Sequence, residues 1–109
     1  MDNNRDREPI FIEAWEVFGR ENREDRVMEE ASEVIQAILK LRRPDVRRSE
    51  RLQDARLNML EEVADLTIVL DCLRHIILHG PDAEELKALD SLKWRKFVSQ
   101  VKAEQKVKA

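Results

Sequence analysis

MEEASEVIQAILKLRR, residues 28–43, is the stretch on which the fold turns. Its apolar residues Ala31, Val34, Ile35, Ile38 and Leu41, with Val27 just ahead, recur every three or four positions, the spacing of one face of an α-helix. A second stretch, LEEVADLTIVLDCL at residues 60–73, repeats the pattern with Val63, Leu66, Val69, Leu70 and Leu73. Each run also sets two carboxylates three residues apart: Glu30 and Glu33 in the first, Glu62 and Asp65 in the second. That spacing puts each pair on neighbouring positions of one helix face.

Working outward, the flanks read as helix punctuation. Upstream, residues 1–8 are polar and expected to be loose, and Pro9 suits the first turn of a helix through Phe11, Ile12, Trp15 and Phe18 that ends at Gly19. Asn22 is a candidate cap for the second helix, which should stop before Pro44. A basic turn to about Ser49 leads into a long third helix through Ile77, and residues 50–58 could continue it backwards or stand apart. Gly80-Pro81 closes it, and Asp82 can cap a fourth helix carrying Leu86, Leu89, Leu92, Phe97 and Val101, with residues 102–109 expected to fray.

Composition agrees with this pattern. Two Gly, three Pro and no Tyr among 109 residues leave few turn or strand formers, so the fold class expected is all-α, an antiparallel four-helix bundle in a single domain over residues 1–109. So small a bundle gains by burying a face against a second copy, which predicts a homo-oligomer. The 20 basic residues are scattered among 23 acidic ones, which argues against a dedicated nucleic-acid surface. Arg42-Arg43 and Arg47-Arg48 around Pro44 are the exception, and they read as a solvated turn. Cys72 has no disulfide partner and reads as a small core residue. No apolar run reaches membrane-spanning length and no leader is visible, so a reducing cytoplasm without membrane attachment is the expected address.

With Val27 and Ile38 at the centre of the second helix's apolar face, Glu30 falls roughly 60° to one side and Glu33 roughly 120°. Glu62 and Asp65 take nearly the same offsets from Leu66 and Ile77 on the third helix. Taken singly, such pairs decorate any amphipathic helix. Matching pairs on two antiparallel neighbours would converge, and converging carboxylates raise each other's pKa unless a cation lies between them. Oxygen donors without His or Cys select a hard ion such as Mg²⁺, which commonly takes carboxylates together with substrate phosphate.

Glu29-Glu30-x-x-Glu33, a gap of 28 residues, and Glu62-x-x-Asp65 together resemble the EExxE…ExxD signature of the all-α, MazG-like nucleoside triphosphate pyrophosphohydrolases. The resemblance runs from about Trp15 to Phe97. It implies cleavage of a nucleoside triphosphate between the α and β phosphorus atoms, yielding a monophosphate and pyrophosphate. Glu30, Glu33, Glu62 and Asp65 would hold Mg²⁺, or Mn²⁺ in its place, with Glu29 in the outer shell and Glu30 or Glu33 directing the attacking water. Lys93 and Lys96 resemble the family's basic residues of the last helix, and Arg26 is a further candidate for the polyphosphate. Taken singly, each reads more readily as an ordinary surface charge. Trp15 could stack on a base or belong to the core. Arg23 stands where many relatives carry Gln, and Thr67-Ile68-Val69 stands where the phosphoribosyl-ATP branch carries His.

Two other readings compete. One is a non-catalytic helical interaction module whose acidic cluster binds metal without turnover. The other, a di-metal oxidase bundle, would place His at the end of each motif, where Glu33 and Asp65 stand instead. Number of metal ions, nucleobase, and dimer against dimer of dimers stay open at this level.

Overall fold

The computed structural model describes residues 4–108, and among these every regular element is a helix. The order is α1 (Asn4–Phe18), α2 (Arg20–Arg42), α3 (Pro44–Arg47), α4 (Leu52–Leu78) and α5 (Ala83–Lys108). The all-α expectation holds, with the supposed basic turn now containing a helix of one turn. The chain divides into two compact units, the first ending at Ile76 and the second beginning at Ile77.

Several boundaries differ from those read off the sequence. Helix α1 starts at Asn4, five residues ahead of Pro9, so Pro9 lies inside the helix and not in its first turn. At the other end α5 continues to Lys108, through most of the stretch expected to fray. Residues 1–3 and 109 lie outside the described residues. The α2 cap is Gly19, not Asn22, whose side-chain oxygen instead accepts from Arg23 Nη2 at 2.6 Å. Gly19 has φ 82 and ψ 163, a region open in practice to glycine alone. Residues 52–58 belong to α4 without a break.

Helix α3 follows from Pro44 at its first position, where the missing N–H costs nothing. It buries Val46, which at 1% exposure is the most enclosed large side chain described. Ser49 then turns the chain: its hydroxyl donates to the Val46 carbonyl at 3.0 Å and accepts from the Arg51 N–H at 3.1 Å.

Within the first unit α2 and α4 are antiparallel. Glu30 meets Asp65 and Glu62, while farther along α2 Ala37 and Lys40 share a groove with Asn58, earlier on α4. Among the residues withdrawn from solvent are Val27, Glu30, Val34, Ala37 and Leu41 on α2, beside Ala31 and Glu33, and Ala55, Met59, Glu62, Leu66, Val69 and Leu73 on α4, beside Cys72. Steps of three and four residues alternate along both, as in a coiled-coil seam. Helix α1 joins through Phe11, whose ring lies 5.8 Å from that of His75 and whose carbonyl faces the buried Cys72 thiol at 3.9 Å. Burial pushes that thiol's pKa up, as fits a core cysteine.

This seam corrects the placement of the α2 face. Ile38, taken as a centre, is 37% exposed, and Ile35 at 59% is more so, whereas Ala37 is buried. Helix α2 is apolar over a wider arc than a single buried stripe needs. The second unit is mostly α5, which buries none of its residues. Trp94 and Phe97 sit together on it with ring centres 5.7 Å apart.

Candidate metal centre

Glu30 and Glu62 occupy seam positions, where a coiled coil would ordinarily carry apolar side chains. Helix geometry then fixes their neighbours: Asp65 lies one turn beyond Glu62, and Glu33 one turn beyond Glu30. One carboxylate oxygen from each of Glu30, Glu62 and Asp65 lies within 4.8 Å of the others. Glu33 stands beside this triad, against Glu62 and Glu30.

Among the described residues Glu30 is the one charged residue that is buried, at 4% exposure. Its Oε1 accepts from Arg26 Nη2 at 2.7 Å. Its Oε2 is enclosed with no donor, and so is Oε2 of Glu62. A buried oxygen left without a donor is costly, and Arg23 Nε in the same unit is likewise enclosed without a hydrogen-bond partner.

Electrostatics follow from that geometry. Burial is the main reason the Glu30 carboxyl is held above its ordinary pKa, reinforced by hydrogen bonding and charge from Glu33 and by the charge of Asp65, against the opposing pull of Arg26. Glu33 is raised first by the Glu62 carboxyl beside it, with which it can share a proton, and next by burial and the Glu62 charge, while Glu30 opposes the shift. Four carboxyl groups thus crowd one place, and the Arg26 guanidinium is bonded to one of them, Glu30.

The donor set fits a hard divalent cation. Three carboxylate oxygens from two helices converge, and the two enclosed oxygens lack the positive partner that such an ion would supply. Glu30, Glu62 and Asp65 would be its ligands.

Of the other expected residues, Arg26 is brought to the site but is engaged there, bridging Glu29 at 3.1 Å and Glu30 at 2.7 Å. Glu29 reaches the cluster through that arginine while remaining 56% exposed. Trp15 is half-buried on α1. Lys93 and Lys96 belong to the second unit, exposed on α5. Arg23 lies 4.5 Å over the Phe18 ring, a cation–π arrangement.

The sequence reading missed a groove. It runs between α2 and α4 beside the carboxylates, lined by Glu33, Gln36, Ala37, Lys40, Asn58 and Glu62. Its signal was present: Gln36 and Lys40 lie three and seven residues after Glu33, and Asn58 four before Glu62, all on the same helix faces. Among the described residues no helix is long and apolar enough to cross a membrane. The chain matches no known family model, no curated protein and no solved structure.

Proposed function

We propose that this chain is a Mg²⁺-dependent nucleoside triphosphate pyrophosphohydrolase of the MazG-like type, folded as an antiparallel four-helix bundle and active as a homo-oligomer in a nucleotide-rich cytoplasm. The observation that carries this reading is the meeting of Glu30, Glu62 and Asp65 within 4.8 Å, with enclosed oxygens of Glu30 and Glu62 that have no donor. Such charges in a helical seam destabilise the fold and have no structural use without a cation.

In this reading Glu30, Glu62 and Asp65 hold the ion, and Arg26 fixes the Glu30 rotamer from its other oxygen. Mg²⁺, when bound, would offset charge on the phosphate oxygens and make water a better nucleophile. Glu33, beside the triad but not within it, takes the proton from the water that attacks the α phosphorus. The bond from that phosphorus to the bridging oxygen breaks, and pyrophosphate leaves with the electron pair. A raised pKa makes the Glu33 carboxylate a stronger base than an ordinary one.

A helical interaction module is the second reading, supported by apolar side chains left in the open on α2 and α4. Ile35, Leu39 and Ile68 are 59%, 61% and 50% exposed. The homo-oligomer of the first reading would cover the same surfaces. Pyrophosphate release from a panel of ribo- and deoxyribonucleoside triphosphates, with and without Mg²⁺, separates the two. Metal-dependent release that disappears in Glu62→Gln supports the enzyme; silence across the panel favours the module.

A further inference from the structure

The groove beginning at Glu33 and Glu62 extends past Gln36, Ala37 and Asn58 to Lys40 and encloses about 250 Å³. We propose that it holds the two phosphates that depart as pyrophosphate, with Lys40 as their cation and the Gln36 and Asn58 carboxamides as additional donors. The assignment rests on the pyrophosphohydrolase reading and names the part of the substrate this face receives.

The lining itself selects phosphate over base. None of the groove residues is aromatic, so a nucleobase would find no face to stack on, whereas a polyphosphate would find one ammonium and two amide groups. Phosphate oxygens cannot approach Glu33 and Glu62 unless a cation lies between, and the triad is placed to hold one. Past the acidic end the next charged group is Lys40, seven residues or about 10 Å farther along α2. A lysine side chain can turn back over much of that distance. Arg26 is tied to Glu29 and Glu30, while Lys40 forms no ion pair among the described residues. Gln36 donates to the Ser32 hydroxyl at 3.3 Å through one N–H and keeps its second for a ligand.

The test is calorimetric binding of inorganic pyrophosphate to the full chain at saturating Mg²⁺. It compares wild type with Lys40→Met, Lys40→Arg and Arg47→Met, the last altering an exposed cation on α3 that does not line the groove. Lys40→Met is expected to weaken binding by about tenfold or more, as loss of a charge-assisted contact does, with Lys40→Arg recovering most of it and Arg47→Met unchanged. Undiminished affinity in Lys40→Met, an equal loss in Arg47→Met, or no pyrophosphate binding by wild type would each overturn the assignment. So would a Lys40→Met effect on KM that differs with the base and not uniformly across nucleotides. Nucleotide cleavage is followed on the same samples. A chain that cleaves nucleotides but binds pyrophosphate independently of Lys40 refutes the groove alone. One that binds pyrophosphate through Lys40 but cleaves nothing refutes the pyrophosphohydrolase reading alone.

Discussion

Two acidic places in the first unit show opposite solutions to the same problem. At the turn after α2, Asp45 is half exposed and accepts from Arg43 Nε and Nη2 at 3.2 and 2.9 Å, with Arg51 at 3.4 Å. Its pKa is lowered, first by the hydrogen bond with Arg43. In the seam between α2 and α4, Glu30 is nearly enclosed and Glu33 lies against Glu62, and both are raised. Local arginines neutralise Asp45, whereas Arg26 is too little for four carboxyl groups. Both places carry many charges in the sequence; burial and the balance of partners separate the ordinary ion pair from the crowded carboxylates.

The contrast is broken most strongly by removing one seam carboxylate. Glu33→Gln should lower turnover by at least about 100-fold, more than the usual effect of a residue behind the metal ligands, with the circular dichroism of the helices unchanged. Activity near wild type would remove Glu33 from the reaction. Metal alone gives the next effect. At a Mg²⁺ concentration about 100 times its Kd, binding to the folded state adds about 2.7 kcal/mol, or about 10 °C or more in Tm. Glu62→Gln should lose that shift and Asp45→Asn should keep it. A Tm indifferent to millimolar Mg²⁺ would leave the triad without its ion.

Acidity sharpens the comparison because the two places carry shifts of opposite sign. The raised values of Glu30 and Glu33 mean that their neutral forms suit the fold. Their contribution is fully present below the unfolded glutamate value of about 4.3 and is lost as pH rises through the higher folded values. Metal-free protein should therefore gain stability on acidification toward about pH 4.3. Mg²⁺, by holding the carboxylates ionised, should reverse the trend. Melting curves of the metal-free chain that fall steadily with acidification across that window would show that the seam carboxylates do not repel as their positions imply.

Much of this was legible in the chain itself. The 3.6-residue period of residues 28–43 and 60–73, the sparse Gly and Pro, and the stop at Pro44 identify the long helices. The four carboxylates were legible too, because equal offsets on antiparallel neighbours must converge. Less legible was which apolar residues face inward on α2, since Ile35, Ile38 and Leu39 widen the stripe past what the seam buries. Centring that face on Ile38 hid the seam position of Glu30. The Lys40 groove was missed for a related reason: a lysine at helical spacing is ordinarily solvated, and its significance appears with Asn58 brought opposite from another helix. Pro9 inside α1 and Gly19 as the α2 cap lie away from the boundaries suggested by a first-turn proline and an asparagine cap.

The smallest effect belongs to Asp45 and gives the comparison its reference. With half its side chain in water, its bonds to Arg43 and Arg51 are screened, and exposed pairs of this kind contribute little. Asp45→Asn should therefore destabilise only slightly in low salt and hardly at all at high ionic strength. Its lowered pKa fixes the sign. The contribution is present above the unfolded aspartate value of about 3.9 and is lost as pH falls through the still lower folded value, below the window in which the seam responds. Chemical denaturation of wild type and Asp45→Asn at two salt concentrations measures it. A large difference that survives high salt would mean that Asp45 holds α3 and the buried Val46 in place. The distinction between a solvated ion pair and a buried charge cluster would then fail at its simpler end.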